Sequence, residues 1–142
     1  MTPSRSAGFL SPLLGRRETG CVLRNQRNGR LLARRLLPAF DSRSRRTGLL
    51  GRTAIGDEAM IIAPTNAVHT WFMRFAIDIA FVARNGTVLK MCEAVRPWRI
   101  AAAWGGFAVI ELQAGALAAS GTIVGDVIAA VPDGSDRAGS AE

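Results

Sequence analysis

Two Asn-Gly dipeptides set beside short apolar runs constrain the fold of this chain more than any other feature. Asn28-Gly29 separates residues 21–24 from residues 31–33 and favours the positive φ angles of a type I′ hairpin turn. Asn85-Gly86 follows the apolar segment 71–82 and favours a second tight turn between two strands. A chain with two such hairpins is predicted to form an antiparallel sheet.

The remaining elements are predicted from apolar runs and from the glycine and proline residues that end them. Further strands are predicted at 59–63, 88–94, 107–112 and 127–131, and short helices over 41–51 and 114–120. The expected fold is therefore α+β, with a compact, mostly antiparallel, curved or barrel-like sheet and one or two short helices. We expect a single globular domain over residues 19–132, a disordered basic extension at 1–18 and a polar tail at 133–142.

Composition limits the chemistry that the chain can perform. Of its 142 residues, 49% are apolar and 20% are charged, which is typical of one folded domain. One histidine and two cysteines cannot build a Cys₂His₂ or Cys₄ zinc site or a disulfide framework, so we expect no metal and no cofactor. No segment has the roughly 20 apolar residues of a membrane span. The unpatterned cysteines fit a reducing compartment, which favours the cytoplasm.

Charge is divided unevenly along the chain. Residues 1–52 contain twelve arginines against two acidic side chains, a net +10, whereas residues 53–142 have a net −3. The arginine-rich residues 5–52 either meet nucleic acid or another anionic surface, or form a solvated arm and a sheet edge that resists aggregation. No aromatic residue lies between Arg16 and Arg35, so this stretch has no platform on which bases could stack.

The densest cluster of unusual side chains lies in segment 69–78, His-Thr-Trp-Phe-Met-Arg-Phe-Ala-Ile-Asp. If 71–82 is one strand, its odd positions form an apolar core face, and Arg74 and Asp78 share the other face roughly 13 Å apart. Arg74 then needs either a bend in the strand or another partner. Glu111, within an apolar strand, is the natural candidate. These groups form either a structural ion pair or the lining of an anion-binding pocket.

Two further residues are candidates for a site. His69, the only histidine, is either a general base or a hydrogen-bonded turn residue. Trp98, in the segment Arg96-Pro97-Trp98-Arg99, either seals the end of the sheet or stands at the rim of a ligand pocket. The six candidate ligand-binding residues are His69, Thr70, Arg74, Asp78, Trp98 and Glu111.

Several segments carry a resemblance to a known family. In chain order they are GLLGR at 48–52, HTWFMRFAID at 69–78, RPW at 96–98, ELQAG at 111–115 and GD at 125–126. They resemble the successive motifs of the small prokaryotic domain-of-unknown-function 192 family. The resemblance implies a compact single-domain protein to which no reaction is assigned. The family commonly has proline where this chain has Ala76, so the resemblance does not imply a rigid bend after Arg74.

These observations predict a binding protein rather than an enzyme. The expected ligand is small and either anionic or polyhydroxylated, with Arg74 forming a fork to it and Trp98 covering it. Asp78 or Glu111 would orient the arginine. Two alternatives remain open: a nucleic-acid-associated protein that uses the arginine-rich residues 5–52, and a hydrolase with His69 as its general base.

Overall fold

The computed structural model describes residues 20–39, 55–71 and 73–133. These residues form ten strands and one short helix, namely β1 (Cys21–Asn25), β2 (Leu31–Ala33), β3 (Arg35–Ala39), β4 (Glu58–Ile62), β5 (Ala67–His69), β6 (Ile77–Val82), β7 (Val88–Val95), β8 (Ile100–Ala102), β9 (Ala108–Gln113), α1 (Ala116–Ala119) and β10 (Ile128–Pro132). The predicted extension at 1–18, the predicted helix at 41–51 and the tail beyond residue 133 lie outside the described residues.

The strands form three sheets. The central sheet has the order β3-β4-β9-β6-β7, in which β3 and β4 are parallel and all other neighbours are antiparallel. A second sheet has the order β10-β1-β2, and β5 pairs with β8 in a two-stranded ribbon. The mostly antiparallel α+β fold is therefore confirmed in this broad form. Closure into a barrel is not confirmed, because none of the sheets within the described ranges closes on itself.

Both faces of the central sheet are buried, so all six residues of β6 are buried. Because successive side chains of a strand point to opposite faces, Ile77, Ile79 and Phe81 join one apolar cluster, whereas Ala80 and Val82 join the other. Residues of the β10-β1-β2 sheet and of α1 complete the Ala80 cluster. The β5–β8 ribbon packs against the Ile79 cluster. The fold is thus layered, with β6 in the middle layer.

The predicted single strand over 71–82 is wrong in its first half. β6 begins at Ile77, because the last residues of both neighbouring strands, β7 and β9, pair with that residue. The described residues between β5 and β6, namely 70, 71 and 73–76, therefore belong to no strand and form a turn-rich connection. Arg74 and Asp78 consequently do not share the face of one strand.

Both predicted hairpins are present. β1 pairs with β2 across Asn28-Gly29, and β6 pairs with β7 across Asn85-Gly86, with φ of +73° and +89° at the two glycines. The type I′ prediction is wrong, because left-handed φ is confined to Ala94 and Trp98 among the described non-glycine residues. Instead, the Asn28 side-chain amide donates a hydrogen bond of 2.7 Å to the Ser120 carbonyl, so a tertiary contact holds this turn.

Most of the other strands and the short helix were predicted from the sequence, and three strands were not. The strands predicted at 59–63, 88–94, 107–112 and 127–131 correspond to β4, β7, β9 and β10, and the helix predicted at 114–120 corresponds to α1. Strands β3, β5 and β8 were not predicted from the sequence. β5 and β8 have only three residues each, and in both strands the two outer residues are exposed, so their composition carries no strong apolar signal.

A buried carboxyl group joins three segments around the central sheet. Asp78 of β6 accepts hydrogen bonds from the backbone N–H groups of Ala94 (2.8 Å), Gly115 (3.1 Å) and Leu117 (3.0 Å). Gly115 and Leu117 lie at the start of α1, where backbone N–H groups have no partner within the helix. Ala94 has a φ of 49°, a left-handed conformation that costs about 1–2 kcal/mol. Asp78 therefore stabilises both the start of α1 and the strained end of β7.

A second polar network ties β1 to the loop before β10. Asp126 accepts hydrogen bonds from Arg27 Nε (2.7 Å), Asn25 Nδ2 (2.8 Å) and the Ile123 N–H (2.9 Å). Asn25 also donates to Thr122 Oγ1. The bond from Arg27 is the main reason why the pKa of Asp126 lies well below its usual value, and the favourable bonds outweigh the opposite effect of burial.

The Asp78→Ala variant should be strongly destabilised. Three backbone N–H groups would lose their acceptor, and leaving a buried donor unsatisfied costs about 1–3 kcal/mol, so we expect the free energy of unfolding to fall by about 3 kcal/mol or more. Urea denaturation measures this loss. Glu93→Ala, which removes an exposed carboxyl from β7, is the matched control and should change stability by less than about 0.5 kcal/mol. A loss below about 1 kcal/mol for Asp78→Ala would contradict this role.

Asp126 should make stability depend on pH in the acid range. Its pKa is lowered in the folded state, so its contribution to stability is present above the unfolded value of about 3.9 and is lost as the pH falls towards the folded pKa. Asp126→Asn should therefore be less stable than the wild type at pH 7, and the difference should shrink between pH 5 and pH 2. Urea denaturation across this range tests the prediction, and a constant difference would refute it.

Candidate functional site

The outer side of the β5–β8 ribbon is the most unusual surface of the described chain. His69 pairs with Ile100 and Val68 pairs with Ala101. Val68 and Ala101 point inwards and pack against the Ile79 cluster, so alternation turns His69 and Ile100 outwards, where both are exposed. The ribbon therefore places an imidazole and a large apolar side chain side by side on the surface.

Three tryptophans extend this surface. The exposed fractions of Trp71, Trp98 and Trp104 are 42%, 56% and 98%. The rings of His69 and Trp71 are in contact, with centroids 4.9 Å apart and planes tilted by 33°. We call the set His69, Trp71, Trp98, Ile100 and Trp104 the aromatic face. Large apolar side chains gathered on a surface in this way commonly mark a binding site.

Thr70 holds one end of the aromatic face in place. Its hydroxyl donates to the Arg96 carbonyl (2.7 Å) and accepts from the Arg99 N–H (2.8 Å). Its carbonyl accepts from the Trp98 N–H (3.0 Å). These bonds fix Trp98 in a left-handed conformation with φ of +65°, which a non-glycine residue adopts only where its surroundings impose it. Thr70 is buried, so it positions this turn rather than facing a ligand.

A shallow groove of about 310 Å³ lies at the other end of the ribbon. It is lined by Asn66, Ala102, Ala103 and Trp104. The Ala103 N–H donates to the Asn66 carbonyl (2.9 Å), which closes the end of the ribbon beneath the groove. The groove is open to solvent and continues the aromatic face instead of forming a separate enclosed pocket.

Positive charge surrounds the aromatic face. Arg74, Arg96 and Arg99 are exposed, and none of them forms an ion pair with another residue of the described ranges. Segments 66–76 and 96–104, which contain the whole aromatic face, have no acidic side chain. The side chains of these segments therefore carry a net positive charge, which favours an anionic partner.

The six predicted site residues do not converge on one pocket. His69 and Trp98 lie on the aromatic face, with Thr70 beneath Trp98. Arg74 is exposed in the connection that leads to β6. The remaining two, Asp78 and Glu111, belong to opposite sides of the central sheet.

The separation of the two acidic residues follows from strand register. Asp78 pairs with Leu112, whereas Glu111 pairs with Ile79, one residue further along. Because neighbouring residues of a strand face opposite ways, Asp78 lies on the side of α1 and Glu111 on the side of the Ile79 cluster. Neither forms an ion pair with Arg74. The predicted orientation of Arg74 by one of these carboxyl groups is thus not observed.

Glu111, on the side of the Ile79 cluster, is a buried acid whose pKa departs from its usual value. It is 6% exposed and lies opposite Met60 of β4 and Ile79 of β6. Burial in these apolar surroundings disfavours the charged form and raises the pKa of Glu111 to about 7. No residue of the described ranges donates a hydrogen bond to its side-chain carboxyl group.

The aromatic face contains residues that the sequence analysis missed. Trp71 was assigned to the core, and Trp104, next to two glycines, was not considered as part of a site. The available signal was the absence of any apolar periodicity around Trp104, because a tryptophan in a Gly-rich turn has no strand or helix face to bury it. His69 contacts Trp71 and forms no hydrogen bond with a described side chain, so the residue that would orient a general base is not among them.

The sequence matches the model of the domain-of-unknown-function 192 family, described as Uncharacterized ACR, over residues 24–130. The chain belongs to this family. The matched residues run from β1 to β10 and include both the aromatic face and Asp78. The resemblance noted from the sequence motifs is confirmed.

Two solved structures are similar to this member of the family. A protein of unknown function from Novosphingobium aromaticivorans is 25% identical with a TM-score of 0.65, and the match covers 76% of this chain and 82% of that chain. A protein from Sinorhizobium meliloti, described as "a putative transcription regulator", is 22% identical with a TM-score of 0.66, covering 78% of this chain and 91% of that chain. The second likeness shows the shared fold alone. No curated protein matches the sequence.

Two further features are absent from the described residues. None of the helices there is long and apolar enough to cross a membrane. In the same part of the chain, no three His, Cys, Asp or Glu side chains come together in an arrangement that could hold a metal ion.

Glu111 should make the protein less stable as the pH rises through the neutral range. The folded state keeps the proton to about pH 7, whereas the unfolded chain releases it near 4.5, so the free energy of unfolding falls between these values. The fall should be about 3 kcal/mol. Glu111→Gln, which cannot ionise, should lack this component and be more stable than the wild type at pH 8. Chemical denaturation from pH 4 to pH 8 tests this, and parallel curves for the two proteins would contradict it.

Proposed function

We propose that this protein is a small single-domain binding protein that takes an anionic ligand at the aromatic face. The observation that carries the proposal is the exposure of Trp71, Trp98 and Trp104 beside arginines that no acidic residue of the same segments offsets. Large aromatic rings on a surface offer area for a ring or a sugar face, and guanidinium groups offer paired donors for phosphate or carboxylate. A polyhydroxylated anion would use both.

The proposed roles follow from the position of each residue. Trp98 covers the ligand, because its backbone is fixed through Thr70 and its ring is exposed. Arg99 lies next to Trp98 in the same turn and supplies a fork for the anion. His69 extends the contact surface through its ring contact with Trp71. Thr70 acts as a positioning residue.

We also propose that the protein works in the cytoplasm. Both cysteines are free, and Cys21 is buried in the apolar core, which fits a compartment where thiols remain reduced. The nucleic-acid alternative based on residues 5–52 rests mainly on arginines outside the described ranges. Within them, Arg27 is engaged by Asp126 and so has a structural role.

Trp98→Ala should abolish or strongly weaken ligand binding while leaving the fold intact. The probes are inorganic phosphate, sulfate, sugar phosphates and nucleoside monophosphates, each added to the full chain in a thermal denaturation experiment. A ligand at 100 times its Kd stabilises the wild type by about 2.7 kcal/mol, which is several degrees for a domain of this size. We expect the Kd of any such ligand to rise at least about tenfold in Trp98→Ala.

The matched control for this experiment is Arg30→Ala. Arg30 is exposed in the β1–β2 turn, which belongs to a different sheet from the ribbon, and its removal should leave the Kd unchanged. Far-UV circular dichroism verifies that each variant is folded. The proposal fails if no anion stabilises the wild type, or if Trp98→Ala and Arg30→Ala bind the ligand equally well.

A further inference from the structure

We propose that the ligand of the aromatic face is a single-stranded nucleic acid. Its bases would stack on Trp71, Trp98 and Trp104, and its phosphates would lie against the exposed arginines of the same segments. This inference rests on the proposed function, because it names the class of anion that the face binds. Three properties of the surface support it: its length, its openness and its combination of aromatic rings with positive charge.

The aromatic face runs along the whole β5–β8 ribbon, from one end to the other. Trp98 and Trp104 are six residues apart, with strand β8 between them, and a strand rises about 3.3 Å per residue, so they lie up to about 20 Å apart along the ribbon. Trp98 and Trp71 are at one end of the ribbon, and Trp104 is at the other end, beside the groove. A molecule that contacts all three rings at once would therefore extend along the ribbon from one end to the other.

The openness of the surface favours stacking over burial. Trp104 is 98% exposed, so its indole faces solvent instead of lining a closed pocket. An open ring accepts the face of a flat partner without a change in the protein. Every nucleobase has such a face, and base–aromatic stacking is the usual way in which proteins bind single strands with little sequence preference. The bases of a duplex are already stacked on each other, so a duplex cannot use these rings in this way.

Charge favours a phosphate backbone as the other half of the ligand. Arg74, Arg96 and Arg99 are exposed, and segments 66–76 and 96–104 contain no acidic side chain. A single strand has phosphates at regular intervals alongside its bases. It can therefore contact arginines through its phosphates and tryptophans through its bases over the same length. This site differs from the arginine-rich residues 5–52, because it has the aromatic rings that the stretch from Arg16 to Arg35 lacks.

The test measures binding of oligonucleotides to the full chain by fluorescence anisotropy. Fluorescein-labelled dT12 and rU12 are compared with unlabelled dTMP and dT4 as competitors, and with a 12-base-pair duplex. We expect dT12 or rU12 to bind at least about tenfold more tightly than dTMP, because a 12-mer reaches several rings and a mononucleotide only one. The comparison of dT12 with rU12 shows whether DNA or RNA is the preferred single strand.

Two tryptophan variants separate this inference from the proposed function. Trp104→Ala should weaken dT12 binding at least about fivefold and weaken dTMP binding by a smaller factor, because Trp104 lies at the far end of the face from Trp98 and Arg99. Trp98→Ala should weaken the binding of both. If Trp104→Ala binds dT12 as tightly as the wild type does, the extended site is refuted, although a small-anion site at Trp98 would stand.

A matched pair of triple variants locates the phosphate contacts. One variant replaces Arg74, Arg96 and Arg99 by alanine, and the other replaces three exposed arginines of the β1–β3 region, Arg30, Arg34 and Arg35. Three phosphate contacts on a single strand contribute about −2 to the slope of log K against log salt concentration. The first variant should lose this contribution between 50 and 200 mM salt, and the second should keep it.

Four other binding results would each contradict the proposed single-strand site and indicate a different explanation. Equal affinity for dT12 and dTMP would leave only a small-ligand site. Tighter binding of the duplex, or loss of binding only in the β1–β3 variant, would transfer nucleic-acid binding to another surface. Competition by polyglutamate as effective as that by unlabelled dT12 would indicate an acidic peptide as the partner. Failure of every anion and oligonucleotide to bind would refute both this inference and the proposed function.

Discussion

The carboxyl group of Asp78 is the contact on which the described structure depends most. It lies in β6, where both faces of the central sheet are buried, and there it accepts three backbone hydrogen bonds from two other segments. A buried carboxyl group without donors would be costly, and three buried N–H groups without an acceptor would be costly too. The three hydrogen bonds therefore offset the cost of burying both the carboxyl group and the N–H groups. The result joins the end of β7 and the start of α1 to β6, and it permits the left-handed backbone at Ala94.

Thr70 is a second buried side chain that holds another segment through backbone hydrogen bonds, in this case beneath the aromatic face. A buried hydroxyl and its own backbone hold the turn at residues 96–99, and this turn carries Trp98 outwards on a strained backbone. These hydrogen bonds fix the backbone from which the Trp98 side chain projects. A backbone that is already ordered loses little conformational freedom on binding, which suits recognition.

The sequence predicted the outline of the fold better than it predicted the site. Turn residues and apolar runs located most strands, because those signals act over a few neighbouring residues. The grouping of Asp78 with Glu111 in one pocket was not observed, because side-chain direction depends on strand register, and a difference of one residue reverses the face. Trp71 was assigned to the core for the same kind of reason: the assignment assumed a strand that begins only at Ile77.

What the sequence determined by itself is local: the Asn-Gly turns, the alanine-rich helix α1, the apolar strands and the family to which the chain belongs. The tertiary structure alone decided which sides of those strands meet. It buried both faces of β6, directed Asp78 to backbone donors and Glu111 into an apolar cluster, and left the tryptophans of the β5–β8 ribbon exposed. The physical reason is that turns depend on the preferences of adjacent residues, whereas burial and hydrogen-bond partners depend on segments far apart in the chain.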